Sequence, residues 1–476
     1  MKLKKHLVIL WLALLAACAG PAEHGAEISG VIENLSETEI QVLYYTDLLM
    51  NTEESVTVPV APDGGFSALL PLEQGEFLFL RTPRRTISLY AMPGARIHIQ
   101  FDAENRDEKP VVSGSGYAES AFLIDYNHHI ERDLASGLII NRMAGMGAEV
   151  FRQYADSVYA LKLGHLHAYD GLGELNDDFV AVMETNIMYE KYRLLLEYPL
   201  YYAYFNQTAV DPDLPDWYFD FLEEAAAFTR EDFRENMRSR AYVSFLSSYL
   251  NHLVENLPEE LMEGKSYFQI QYAVGKEHFT GVSREFVLAQ TLISALHFDE
   301  FDHASAMYED FLHTVGPGVY RRLVADEFRV VQSLTPGNLA PDFTARDING
   351  DLISLSDYRG QVIYLDFWAS WCGPCMREMP HAKELKRVMA NQHDLVFMYI
   401  SIDTDEEAWR RTVELHEIEG VHINFPGTAT GAPALYHVRG VPTFYIIGRD
   451  GRIFDNRPPR PSNPDILSTL MAALLE

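Results

Sequence analysis

Apolar and polar residues alternate in short runs over 27–102, at Ile28, Gly30 and Ile32, at Ile40, Val42 and Tyr44, at Val56, Val58 and Val60, at Phe77 and Phe79, and at Ile97, Ile99 and Phe101. A period of two is the signature of strands with one buried face. Pro62-Asp63-Gly64-Gly65 and Pro93-Gly94 supply the turns between them. Residues 27–110 are therefore predicted to form an all-β sandwich. From 117 to 332 the texture changes to long segments with helical spacing and few Gly or Pro, clearest at 149–166, 178–197, 233–257 and 284–296, which predicts a central all-α domain.

Leu334-Thr335-Pro336-Gly337 ends the last of these helices, and 336–476 reads as α/β. Short strands at 343–345 and 352–354 flank Asn349-Gly350, a strong hairpin signal. The runs 362–367, apolar but for Asp366, and 395–400, apolar throughout, read as strands buried on both faces of a parallel sheet. Helices are expected at 374–390, 406–417 and 465–475, and a hairpin at 443–447 and 452–454 across Asp450-Gly451. Three domains also suit a chain of 476 residues at a prior of ~150 per domain.

The N-terminus adds an address. Met1-Lys2-Leu3-Lys4-Lys5 precedes an apolar run over 7–17, the layout of an export signal and shorter than the ~20 residues that span a bilayer. Leu15-Ala16-Ala17-Cys18 resembles the lipobox of bacterial lipoproteins. It implies a signal peptide over 1–17, lipidation at Cys18, a tether over 18–26 and a membrane anchor in place of a span. Ala19 offers no acidic retention signal, which favours the outer membrane. The net charge of −31 makes nucleic acid an improbable partner; the acidity is read as solubility.

The cysteines are Cys18, Cys372 and Cys375 alone. With Cys18 acylated, one C-x-x-C pair remains in an exported chain, after a buried strand and at the start of a helix, which is a redox context. A structural zinc site would need a second ligand pair at suitable spacing, and none exists. Disulfide exchange needs one exposed, low-pKa thiolate and one sheltered thiol. Cys372 at a helix N-terminus, with Pro374 where a missing N–H costs nothing, meets the first need, and Cys375 one turn on meets the second. Asp366 within an apolar run is costly unless used. His128-His129 and His165/His167 lack ligand spacing, so no metal is assigned. The aromatic run 198–205 is read as core.

Asp366-Phe367-Trp368-Ala369-Ser370-Trp371-Cys372-Gly373-Pro374-Cys375 resembles the thioredoxin active-site segment, and Val441-Pro442-Thr443 resembles its cis-proline loop. Ala340-Pro341-Asp342-Phe343 and the Asn349-Gly350 hairpin are similar to the TlpA/ResA branch of exported thioredoxin-like proteins. The β region resembles the N-terminal β domain of many Bacteroidetes lipoproteins. The resemblance implies a thioredoxin fold over 336–476, Cys372 as nucleophile, Cys375 as resolver and Pro442 in cis. It also implies a substrate-binding surface of Trp371, Gly373, Pro374, Val441 and Pro442. Asp366 aligns with the buried acid of thioredoxins and Glu378 with the TlpA/ResA acid three residues after the second cysteine, and either is a candidate proton acceptor.

The implied activity is reduction or isomerisation of protein disulfides in the cell envelope, on the periplasmic side, by a dithiol without further cofactor. Electrons are expected from a membrane thiol-relay reductase. A peroxiredoxin would need Pro-x-x-x-Thr-x-x-Cys, where this chain has Leu365 and Ala369. The rival is an envelope scaffold lipoprotein whose thioredoxin-like domain mainly docks a partner.

Overall fold

The structure, a computed structural model, describes residues 25–49, 52–132, 134, 143, 145–169, 171–207, 214–227 and 234–476; the leader and Cys18 lie outside them. Two compact units divide at Thr291 and Leu292. Among the described residues no helix is long and apolar enough to cross a membrane.

In the first unit the alternating segments become β1 (Ala26–Glu33), β2 (Glu39–Asp47), β3 (Thr52–Pro59), β4 (Gly65–Leu70), β5 (Glu76–Arg81), β6 (Thr86–Ala91), β7 (Arg96–Asp102) and β8 (Val111–Ser115). They form two four-stranded sheets, β4-β1-β7-β8 and β3-β2-β5-β6. Inward residues of both, among them Ile28, Ile97 and Ile99 from one and Val42, Leu78 and Leu89 from the other, share one core. Gly30 pairs with Ile99 in the parallel β1/β7 ladder, and a Cβ there would lie 1.9 Å from the Ile99 carbonyl oxygen. Only glycine permits that approach.

The helices of this unit are α1 (Ala118–Tyr126), α2 (Ala148–Ala168), α3 (Asp177–Asn206), α4 (Phe221–Ala227), α5 (Arg240–Glu255) and α6 (Tyr267–His278); α7 (Gly281–Phe298) runs across the division. Helix α1 is tied to β6, because the buried Ser120 hydroxyl donates to the Tyr90 carbonyl (2.9 Å) and accepts the Tyr90 N–H (3.0 Å). In the aromatic run, Tyr198 is buried and stacks on Phe151 at 4.6 Å, whereas Leu200 and Tyr204 are exposed. His129 and His165 both face Asp125, and His167 faces Glu184.

The second unit holds the end of α7, then α8 (Phe301–Thr314), α9 (Val319–Ser333), β9 (Thr344–Arg346), β10 (Leu352–Ser354), β11 (Val362–Trp368), α10 (Gly373–Val388), β12 (Leu395–Ser401), α11 (Glu406–Leu415), β13 (Val421–Asn424), α12 (Gly431–Leu435), β14 (Thr443–Ile447), β15 (Ile453–Asp455) and α13 (Asp465–Leu475). The main sheet runs β13-β12-β11-β14-β15, with β12 parallel to both β11 and β13, and β14 antiparallel to β11. Strand β11 is buried along its whole length, so alternate residues serve two cores. Val362, Tyr364 and Trp368 pack with α10 and α13 residues such as Met379, Leu385 and Leu470. Ile363, Leu365 and Phe367 pack with Phe343, Met398 and Tyr436 on the other side.

Domain bounds are expected from the sequence at 110/117 and 332/336, and the compact units divide at 291/292. Within the second unit, Leu334 enters the core that holds Ile447 and Ile453, and the Arg457 guanidinium donates to the Leu296 and Asp299 carbonyls. The last helices of the α region are thereby bonded to the α/β sheet.

Candidate active site

The alternation along β11 decides where the acid goes. Asp366 lies between Tyr364 and Trp368 on the face that packs against α10, and its ladder neighbours on that face are Tyr399 of β12 and Phe444 of β14. It is 3 % exposed, and its Oδ1 has no hydrogen-bond partner among the described residues. Burial, and then the nearby Glu378 charge, push its carboxyl well above the ordinary range. A carboxyl whose protonated form is favoured by its surroundings therefore sits beside the apolar cluster that includes Cys372 and Cys375.

Cys372 is the N-cap of α10, and its sulfur accepts the Cys375 N–H at 3.1 Å. Pro374 falls in the first turn, where its missing N–H leaves no helical bond unmade. Cys372 and Cys375 are joined as a disulfide. The expectation of an exposed Cys372 needs correction, since it is only 4 % exposed, close to the 1 % of the sheltered Cys375. The physical reason is the loop opposite: the Val441–Pro442 peptide is cis, and the Val441 carbonyl oxygen stands 3.5 Å from Cys372 Sγ. Trp371, 67 % exposed, together with the exposed Gly373 and Pro374, forms the open side of the motif; Val441 and Pro442 are half-buried.

Glu378 lies on α10 one turn beyond Cys375, half-buried. Its Oε2 accepts the Ser462 N–H and its Oε1 accepts the Ser462 hydroxyl, both at 2.9 Å. Glu378 and Asp366 are thus close enough to interact, yet one is fitted with donors and the other is not.

The sequence reading did not single out Asp403. This buried carboxylate accepts the Ser370 N–H (2.9 Å) and hydroxyl (2.6 Å) and the Ser401 hydroxyl (2.7 Å), and so ties the end of β12 to the turn that presents Cys372. An acid two residues beyond an apolar strand was its signal. Ser462 and a second cluster, His297, Glu327 and His437, were also missed. The latter is the group of His, Cys, Asp and Glu side chains whose ligand atoms converge, within 4.8 Å of one another, among the described residues.

A sequence model of a thioredoxin-like family matches residues 360–453. The chain is similar to the thioredoxin-like protein YneN of Bacillus subtilis, 33 % identical over 122 residues that make up 25 % of this chain and 69 % of the relative. It is also similar to the thiol-disulfide oxidoreductase ResA of Geobacillus kaustophilus, 30 % identical over 145 residues, 30 % of this chain and 78 % of that one. Among solved structures, one from Bacteroides vulgatus described as a putative thiol-disulfide oxidoreductase shares 33 % identity and covers 30 % of this chain and 98 % of its own, with a TM-score of 0.28.

Proposed function

Because this chain belongs to the TlpA/ResA-like branch of the thioredoxin family of thiol-disulfide oxidoreductases, we propose that it reduces or isomerises protein disulfides in the cell envelope, with Cys372 as nucleophile and Cys375 as resolver. The observation that carries the reading is the Cys372–Cys375 disulfide at the N-cap of α10, faced by the cis Val441–Pro442 peptide and backed by the buried Asp366.

In the reduced enzyme the Cys372 thiolate, favoured by the helix N-terminus, attacks one sulfur of the substrate disulfide. That S–S bond breaks, a mixed disulfide forms, and the departing substrate thiolate takes a proton. Asp366 in its ionised form then takes the Cys375 proton, and the Cys375 thiolate attacks Cys372 Sγ and breaks the mixed disulfide. The second substrate thiol is released, and two electrons have passed from the dithiol to the substrate. When an external dithiol reopens the enzyme disulfide, Asp366 returns the proton to the Cys375 sulfur. A carboxyl raised well above the ordinary range is a better proton acceptor than an exposed one and can also return the proton. Trp371, Gly373, Pro374 and the Val441 backbone form the surface on which the substrate chain lies.

The reading extends to a lipid anchor at Cys18, a periplasm-facing and outer-membrane location, and a membrane thiol-relay reductase as electron donor. Cys375→Ser tests the chemistry. It should accumulate substrates bound covalently through Cys372 that dithiothreitol releases, while the wild type reduces insulin. Absence of both results refutes the assignment.

A further inference from the structure

Away from the dithiol, one buried carboxylate draws side chains from three separate stretches of the second unit. Glu327 of α9 accepts on a single oxygen, Oε1, from His297 Nε2 at the end of α7 (2.5 Å) and from His437 Nε2 after α12 (2.6 Å). Arg439 Nη2 lies 3.1 Å from the same oxygen and 3.0 Å from Oε2. The two imidazoles stack with centroids 5.3 Å apart. Burial by itself would raise the Glu327 carboxyl, but the histidine hydrogen bonds, the His437 charge and Arg439 together hold it well below the ordinary range.

Such a set invites a metal, and the distances decide against one. Two donors each ~2.0–2.1 Å from a tetrahedral zinc lie roughly 3.3 Å apart. Separations of 2.5 and 2.6 Å between nitrogen and oxygen are those of charge-assisted hydrogen bonds. A guanidinium on both carboxylate oxygens also already supplies the positive charge that a cation would bring.

What the cluster holds is the segment 436–442. His437 sits in the left-handed region at φ 52, uncommon for a side chain of its size. Arg439 follows by two residues, and Val441, whose carbonyl faces Cys372 Sγ, by two more. The rest of the segment is tied locally: the Tyr445 hydroxyl donates to the Tyr436 carbonyl, the Val438 N–H to the Pro433 carbonyl, and the Thr443 hydroxyl to the Gly440 carbonyl. The Glu327 cluster thus ties this segment to helices that lie outside the matched 360–453. We propose that Glu327 is a positioning residue for disulfide exchange, which acts through His437 and Arg439 to set the cis-proline segment against Cys372 and so governs docking of the polypeptide around the substrate disulfide. The inference rests on the oxidoreductase reading and adds to it a control from helix α9.

The test compares a protein disulfide with a small one on the full chain. Glu327→Gln keeps the shape and removes the charge; His437→Asn keeps a residue that tolerates the left-handed backbone and removes the ring. Each should raise the KM for insulin by about tenfold, the factor that attends loss of a charged hydrogen bond, and leave kcat within about twofold. Reaction of the reduced dithiol with 5,5′-dithiobis(2-nitrobenzoate), which needs no chain docking, should not change, and Glu327→Asp should restore part of the KM. An unchanged KM, or an equal loss with the small disulfide, overturns the proposal. So does stoichiometric zinc binding by the oxidised protein that His297→Ala abolishes. Should the wild type itself fail to reduce insulin, the oxidoreductase reading falls, and amide exchange over 436–443 then judges the latch: faster exchange in Glu327→Gln supports it, and unchanged exchange refutes it.

Discussion

Replacing Asp366 with Asn should stabilise the second unit, and by an amount that grows with pH. The carboxyl is buried, its Oδ1 has no partner among the described residues, and burial together with the Glu378 charge raises it well above the ordinary range, which favours the protonated form in the folded state. Unfolded, an Asp loses its proton near ~3.9. Below that value both states are protonated, and Asp and Asn behave alike. Above it the folded chain binds one proton more than the unfolded chain, so stability falls by about 1.4 kcal/mol per pH unit for as long as the folded carboxyl stays protonated. Asn carries no such proton. The advantage of Asp366→Asn should therefore widen by up to about 2.7 kcal/mol between pH 5 and pH 7.

Pulse-labelling hydrogen exchange in urea, read on peptides from Val362–Trp368, follows this unit without interference from the first. The oxidised protein is used, so that Cys372 and Cys375 do not titrate. Other ionisable groups are common to both proteins and largely cancel in the difference, Glu378 being the one coupled to the site. A difference that is flat with pH, or a variant less stable than wild type at pH 7, would refute the burial argument and with it the role of Asp366 as proton carrier.

Two further substitutions probe separate parts of the chain. Gly30→Ala forces a Cβ to within 1.9 Å of the Ile99 carbonyl oxygen and should destabilise the β1/β7 ladder by about 1–3 kcal/mol, read as faster amide exchange in β1 with β11 unaffected. Ser462→Ala removes the hydroxyl donor to Glu378 and should slow resolution of the mixed disulfide about fivefold, a ~1 kcal/mol effect, in a quenched reaction with insulin; Ser462→Thr should restore it, and an unchanged rate excludes a part for Glu378 in that step.

Legibility followed the range of the interactions. The succession β11, α10, β12 was readable because a doubly buried strand is a continuous apolar run, and the Cys-Gly-Pro-Cys turn marks the helix start. Strands β4, β6 and β8 were not foreseen. In β6 the alternation ends in Tyr90 and Ala91, buried on both sides because Ser120 brings α1 over Tyr90. The single helix expected over 233–257 starts later, at α5, because the Ser239 hydroxyl caps it by accepting the Tyr242 N–H. Glu327 and His437 stand 110 positions apart, as do Glu378 and Ser462 at 84, and no local spacing announces such pairs. Cys372 was expected to be exposed because its own turn is open, whereas its cover arrives from Val441, 69 positions away.

The two acids show most directly what tertiary structure adds. From sequence, Asp366 and Glu378 are two carboxyls near one thiol, with nothing to separate their roles. In the fold they interact, so ionising both is costly, and only one of them is furnished with donors on both oxygens. Glu378 receives the N–H and hydroxyl of Ser462, while Asp366 is sealed between Tyr364 and Trp368 with one oxygen unpaired. The Glu378 charge then helps to hold the proton on Asp366. The difference between the pair thus depends on a serine 84 residues beyond Glu378, which no spacing near the cysteines could announce.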